Sequence, residues 1–406
     1  MGPSYRYHNL FIRSEPAILP QHKSAYNESL LMNRRSFVIF GLLILGVIIF
    51  LILAPASAPQ PIISRWGGQG SQGGLISGEA QPAARPDNSA EMDAYLAQLA
   101  SAGQWSGSAL VASGGKVLLA KGYGLSDVNS KVANTPDTRL RLASVTKQFT
   151  AMAVMQLVND GKLQLTSSVC SYVPQCPQAW QPITIHNLLT HTSGLQNFTD
   201  LPSYEPTMAQ PTSPEELVGR FRDLPLLSTP GSAYRYGNSG YVLLGYIIEQ
   251  VSGQSYPDYL RSHIFEPLGM SNSGFDVGIT GVAQGYSSIG VPCARLDATT
   301  LFSAGGLYSS ANDLYRWDQA LYTSKLLPDS LRAEIFTPQV GSYGYGWIIT
   351  ARGGQRVVEH PGLMSGAATE IARLPDAGIT VIVLSNLENA DVGGITNHLI
   401  DLALGG

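Results

Sequence analysis

The 406 residues carry a formal net charge of −4, with 44% hydrophobic and 13% charged side chains. Such a length accommodates one large domain or two ordinary ones, and so low a charge content suits a chain with an extensive buried core. No basic stripe runs through it, which excludes a nucleic-acid partner.

Residues 1–36 hold five Lys or Arg against two Glu, and residues 37–53 follow with no charged or strongly polar side chain. Seventeen apolar positions are about the shortest run that spans a bilayer core. Arg34 and Arg35 stand just before that run, so the positive-inside rule leaves 1–36 as a cytoplasmic tail and exports everything after Leu53. The small residues Ala54, Ala56, Ser57 and Ala58, together with Arg34-Arg35-Ser36-Phe37, also suit a cleaved or twin-arginine export signal. The long leader and the prolines at Pro55 and Pro59 favour an uncleaved transmembrane anchor at 37–53. Residues 54–90 are rich in Pro, Gly, Ser, Ala and Gln, bury too little to fold, and read as a flexible linker. The folded domain is then 91–406.

The pattern predicts a helix from about Ser89 to Ala102, then a hairpin whose apolar arms, Ser108 to Ala112 and Val117 to Ala120, flank Gly114-Gly115. Next comes Leu142-Ala143-Ser144-Val145-Thr146-Lys147, the start of a helix closed by Gly161. Ser144 and Lys147 are three residues apart and share a helical face. A serine hydroxyl needs a base to take its proton, and a lysine serves only if burial lowers its pKa; the apolar run from Phe149 to Val158 would supply that burial. Ser113-Gly114-Gly115-Lys116 repeats the spacing but is the hairpin turn.

Cys170 and Cys176 lie in a loop-like stretch around Pro174 and are expected to form a small disulfide in an oxidising compartment. Cys293 is left as a small apolar residue, and no Cys/His spacing suggests a metal. Thr184 caps a short helix expected to end near Gly194; His186 and His191, five apart, do not share a helical face and read as structural histidines. Ser213-Pro214-Glu215-Glu216 opens another helix with cap, proline and capping-box glutamate in order. Further helices are expected at 239–252, 256–264, 311–322, 328–336 and 392–403, and strands at 345–350, 355–360, 367–374 and 379–385. Strands at both ends with helices between them give an α+β fold: an antiparallel sheet made by the N- and C-terminal segments, flanked by helices, with an inserted mainly helical lobe. The cleft between sheet and lobe is the natural site.

Two further stretches bring chemistry to that cleft. Tyr236 and Asn238, in Tyr236-Gly237-Asn238, would point together from an extended loop as phenol and carboxamide, the phenol as phenolate beside Lys147. His360-Pro361-Gly362 ends a strand, where Gly362 would let a substrate lie along the edge and His360 would donate to an anion or tune Lys147.

S-x-x-K, Y-x-N and H-x-G in this order resemble the three motifs of the serine β-lactamase and penicillin-binding protein superfamily, most of all its class C β-lactamase-related branch. Leu188-Leu189-Thr190-His191-Thr192-Ser193-Gly194-Leu195 and the stretch from Ala304 to Leu314 are similar to other signatures of that family. The resemblance covers about residue 91 to the C-terminus and implies a β-lactamase/transpeptidase-like fold. It implies Ser144 as the acylated nucleophile, Lys147 as its base, Tyr236 as a proton relay assisted by Asn238, and the N–H groups of Ser144 and Leu363 as the oxyanion hole. It implies no cofactor, and as partners a small-molecule or peptide substrate: a cell-wall peptide, a β-lactam or an ester. Members that recognise penicillin commonly have K-T-G where this chain has H-P-G, which removes a fixed cation and a hydroxyl. The expected function is a membrane-anchored serine hydrolase acting on D-amino-acid peptides or related amides and esters. Its rivals are a carboxylesterase with the same residues, and a penicillin-binding sensor without turnover.

Overall fold

The computed structural model describes residues 87–405. The cytoplasmic tail expected at 1–36, the transmembrane helix expected at 37–53 and nearly all of the linker expected at 54–90 lie outside the described residues. Among the described residues no helix is long and apolar enough to cross a membrane.

The chain enters through α1 (Ser89–Ser101) and the hairpin β1 (Gly107–Ser113) and β2 (Lys116–Tyr123), whose turn is Gly114-Gly115, both at positive φ. A short strand, β3 (Leu140–Arg141), leads through a single 3-10 turn at Ala143–Val145 into α2 (Thr146–Asn159). The lobe contains α3 (Ile185–Leu189), α4 (Pro214–Arg222) and α5 (Asn238–Ser252), followed by β4 (Gly274–Phe275), β5 (Leu307–Ser309), α6 (Ala311–Ala320) and α7 (Asp329–Ile335). Four strands then return, β6 (Ile348–Arg352), β7 (Gln355–Met364), β8 (Ala367–Leu374) and β9 (Ile379–Ser385), and α8 (Val392–Leu404) closes the fold.

The main sheet has the order β6-β7-β8-β9-β1-β2, with every neighbouring pair antiparallel. The first and last strands of the domain therefore meet at its centre, with Ala109 opposite Val383 and Leu110 opposite Ile382. Side-chain alternation splits each strand between two cores. Ala109, Val111, Val381 and Val383 pack with Met92, Leu96, Ile395 and Leu399 of the terminal helices. Leu110, Ile382, Leu384 and Ile371 pack with Phe149, Met152, Leu243 and Ile247 of the lobe.

Helix α2 is buried on nearly every side, from Thr146 through Met155, as expected of a helix apolar all round. Lys147, 0% exposed, is its one ionisable side chain among the buried polar residues Thr146, Gln148 and Thr150. β3 joins β4 and β5 in a small sheet, and Leu142 N–H donates to Leu307 O (2.8 Å), so the turn that carries Ser144 is anchored to the lobe just before it begins.

Helix α3 carries the expected Thr184 cap, with a reciprocal bond from Asn187, but ends at Leu189 and not near Gly194. His191 adopts φ +56, and Thr192 N–H returns to Asn187 O (2.9 Å), which is the left-handed ending that stops a helix. The helix expected at 256–264 is interrupted by a π turn over Arg261–Phe265. The Sγ atoms of Cys170 and Cys176 are 2.01 Å apart, whereas Cys293 is free and half-buried.

Candidate active site

Ser144 sits in the 3-10 turn ahead of α2, and Ala143 before it takes φ +48, a conformation uncommon for a residue with a Cβ. The turn ends in α2, so Lys147 falls in the helix's first turn beneath Ser144. Lys147 Nζ lies 3.0 Å from Ser144 Oγ, 2.9 Å from Asn238 Oδ1 and 3.0 Å from Ala304 O. Burial pulls the amine down to about 7. A neutral amine has two N–H groups and one lone pair. The carboxamide oxygen of Asn238 and the carbonyl of Ala304 can only accept. They occupy both N–H groups, and the lone pair is left facing the Ser144 hydroxyl, which donates to it.

Asn238 is the first residue of α5 and is fixed from the other side: its Nδ2 donates to Thr199 Oγ1 (3.1 Å), and its backbone N–H to Asn197 Oδ1 (2.9 Å). Tyr236 precedes that helix on an irregular loop. Its side chain is 43% exposed overall, but its hydroxyl end points inward toward Ser144, and Lys147 Nζ lies 4.9 Å from the ring centre. Burial pushes this phenol up to about 12. The phenolate expected from the sequence is therefore replaced by a neutral phenol, which can hand a proton on but is not the resting base.

His360 is in the wall, 1% exposed, behind Tyr236. Its Nδ1 donates to Pro361 O (2.7 Å), an acceptor only, so its Nε2 accepts from the Tyr343 hydroxyl (3.1 Å). Burial and the neighbouring Lys147 lower its pKa to about 3. The ring is neutral with both nitrogens engaged, and it does not present the anion donor anticipated at this position.

Gly362 also has a different role from the one anticipated. A Cβ there would collide with Leu142 O and Thr369 Oγ1 and come within 3.2 Å of Ala143 Cβ. The close approach that requires glycine is that of the chain's own Ser144 turn and not of a substrate. Thr369 Oγ1 donates to Leu142 O (2.8 Å), tying β8 to the same turn.

Two-residue turns at both ends of β7, Gly353-Gly354 and Ser365-Gly366, fix its hydrogen-bond parity: odd-numbered residues bond toward β6 and even-numbered ones toward β8. β6 pairs only as far as Glu359, so the outward edge is open at Pro361 and Leu363. Pro361 has no N–H to leave unpaired there. Leu363 does, and its N–H is the donor this edge offers beside Ser144. Ser144 N–H, at the start of a helical turn, has no intrahelical acceptor either. Two such free N–H groups are the kind of donor an oxyanion takes up.

Sequence reasoning missed Tyr343, Asn197, Thr199 and the Ala304 carbonyl. None of the three side chains stands at a telling spacing, and the 304–314 stretch gave no role for the carbonyl at its start. The one available hint is the Gly-aromatic run Gly344-Tyr345-Gly346-Trp347, where Gly346 (φ +76) lies so close to α2 that a Cβ would sit 2.7 Å from Lys147 O. His186 proves structural, with Nδ1 2.9 Å from the Tyr345 hydroxyl. Among the described residues no group of His, Cys, Asp and Glu is placed to hold a metal ion. A cavity of about 480 Å³ between the terminal helices, lined by Tyr95, Leu99 and Ile395, holds neither a nucleophile nor an amine.

The Beta-lactamase family model matches residues 92–405. PbpX of Bacillus subtilis (strain 168) is 32% identical over 327 residues, 78% of this chain and 78% of its own length. The crystal structure of a penicillin binding protein from Bacillus halodurans is similar, with TM-score 0.69 and 26% identity over 76% of this chain and 99% of that one. So is the D-amino acid amidase from Ochrobactrum anthropi SV3, solved with L-phenylalanine, with TM-score 0.67 and 26% identity over 79% of this chain and 98% of that one. These likenesses extend through the whole described fold, and the chain belongs to the Beta-lactamase family of serine hydrolases.

Proposed function

We propose that this protein is a membrane-anchored, extracytoplasmic hydrolase that carries its substrate's acyl group on Ser144 and acts on D-amino-acid peptides or related amides and esters. The observation that carries this reading is the buried Lys147 amine, held by two acceptor-only oxygens with its lone pair toward Ser144 Oγ. Lys147 takes the hydroxyl proton as Oγ bonds to the carbonyl carbon, and the resulting oxyanion is met by the N–H groups of Ser144 and Leu363. The Tyr236 phenol gives its proton to the departing nitrogen or oxygen and recovers one from Lys147 as that bond breaks. Water then repeats the sequence in reverse and frees Ser144.

The neutral His360 and the proline after it supply no fixed cation for a substrate carboxylate, which favours amides and esters over substrates held by a free C-terminal acid. The D-amino acid amidase among the similar structures agrees with the amide reading. A carboxylesterase would use the same groups and is the second reading that this uncharged edge favours. The disulfide between Cys170 and Cys176 suits an oxidising, exported location.

The test is a panel of D-amino-acid amides, D-Ala-D-Ala peptides, p-nitrophenyl esters and labelled penicillin on the full-length protein, with Ser144→Ala as blank. Turnover of at least one class, absent in the blank, is expected. A stoichiometric penicillin adduct without turnover of anything would make the protein a sensor. No labelling by any active-site serine probe would refute the hydrolase reading.

A further inference from the structure

His191 follows Thr190, the C-cap of α3, in a left-handed conformation, φ +56, a place glycine takes at no steric penalty. A side chain kept there against that preference is an outlier that points to use. It is 4% exposed, and its ring lies against Tyr236, with centroids 4.4 Å apart and planes at 43°, while Tyr343 and Tyr241 flank it at 4.7 and 5.0 Å. Its backbone carbonyl accepts from Arg235 N–H (2.8 Å), and its Nδ1 accepts a longer bond from Gly237 N–H (3.4 Å). One residue thus holds the N–H groups on both sides of Tyr236 and one face of its ring. An accepting Nδ1 puts the ring proton on Nε2, which is buried without a protein partner.

We propose that His191 is the positioning residue for Tyr236: it holds the loop over 235–237 so that the phenol stays on Ser144, and it moves no proton itself. Tyr236 lies outside any helix or strand, and the bonds from the backbone N–H groups on either side of it both end on His191. The inference rests on the proposed relay role of Tyr236 and deepens it. That role matters most where the leaving group is basic and must be protonated. It matters least for p-nitrophenolate, which leaves without a proton.

The experiment uses the full-length protein and compares His191→Ala, His191→Asn, Tyr236→Phe and the double variant His191→Ala/Tyr236→Phe on an amide and on a p-nitrophenyl ester. His191→Ala should lower amide kcat by about 100-fold, the scale of one proton-transfer group, and ester kcat by less than about 10-fold on the same scale. Asn tolerates positive φ and keeps an acceptor near the Nδ1 position, so it should recover part of the amide loss. In the Tyr236→Phe background, His191→Ala should add less than about 3-fold, because the two act as one unit. Equal losses on both substrates, additive with Tyr236→Phe, would reduce His191 to a packing residue and overturn the proposal. Unimpaired turnover by Tyr236→Phe would overturn it together with the relay. Inactivity of the wild type against both substrates would remove the turnover that the Tyr236 relay presupposes and overturn the proposal with it.

Discussion

Lys147 Nζ and Asn238 Oδ1, 2.9 Å apart, join the first turns of the two helices that form the centre of the lobe. Asn238 is held by Asn197 and Thr199 so that its oxygen, and not its NH₂, meets the amine. The pairing orients the lysine lone pair without neutralising a charge, so the amine can stay uncharged near neutral pH.

The pH profile follows from that state. Acylation of Ser144 should rise as pH passes through about 7, where Lys147 loses its proton, and remain level through pH 9. Stability should move in the same direction. An unfolded lysine titrates near 10.4, so between about 7 and 10 the unfolded chain binds more protons than the folded one, and stability increases with pH across that window. Labelling rates from pH 5 to 9, with urea midpoints of wild type and Lys147→Met, check both. Lys147→Ala should remain folded and lose about 1,000-fold in kcat/KM.

The open edge of β7 predicts a backbone effect. Leu363→Pro removes the N–H and should cost about 100- to 1,000-fold in kcat, with little change in KM. Leu363→Ala retains the N–H, and because the side chain is 71% exposed, its kcat should stay within about 3-fold of wild type, well short of the loss of an oxyanion donor. Steady-state kinetics on one substrate separates the two.

Gly362→Ala forces β7 away from Leu142 and Thr369 and should cost about 1–3 kcal/mol, with a loss of kcat because the Ser144 turn moves with it. Gly219→Ala is the contrasting change. It lies on an exposed face of α4 with nothing within 4 Å of a new Cβ, and it should stabilise the fold by roughly 0.5–1 kcal/mol with activity unchanged. Thermal melts and kinetics on both variants test the pair.

Thiol titration of the denatured, unreduced protein should find one free thiol, Cys293, among its three cysteines. Cys170→Ala/Cys176→Ala should lower stability by roughly 2 kcal/mol, measured by urea unfolding.

Strands β8 and β9 begin and end where their apolar runs do, and the meeting of terminal segments in one sheet is legible because strand patterns occur at both ends of the domain. β7 was harder. Pro361 and Gly362 read as its end, yet it continues to Met364 because pairing with β8 holds it through Leu363 and the missing proline N–H falls on the open edge. β6 starts at Ile348 and not at 345, because Gly346 turns against Lys147. Within the site, Ser144, Lys147, Tyr236 and Asn238 were legible because each belongs to a short motif. Tyr343 and Thr199 were not, since they reach the site through space and carry no local signature, and Ala304, which opens a family-like stretch, acts through a backbone carbonyl that no side-chain pattern reports. His191 was legible as a residue but not as a role: spacing excludes a metal pair, and only the fold brings its ring onto Tyr236.

Because β1 pairs with β9, the centre of the sheet is assembled from the two ends of the domain. As the chain emerges from its N-terminus, β1 can bond only to β2, and its other edge stays open until the last strand arrives. The domain cannot complete its core until that strand has been made. Loss of the final strand through a premature stop would leave β1 as an unprotected apolar edge, prone to pairing with another chain.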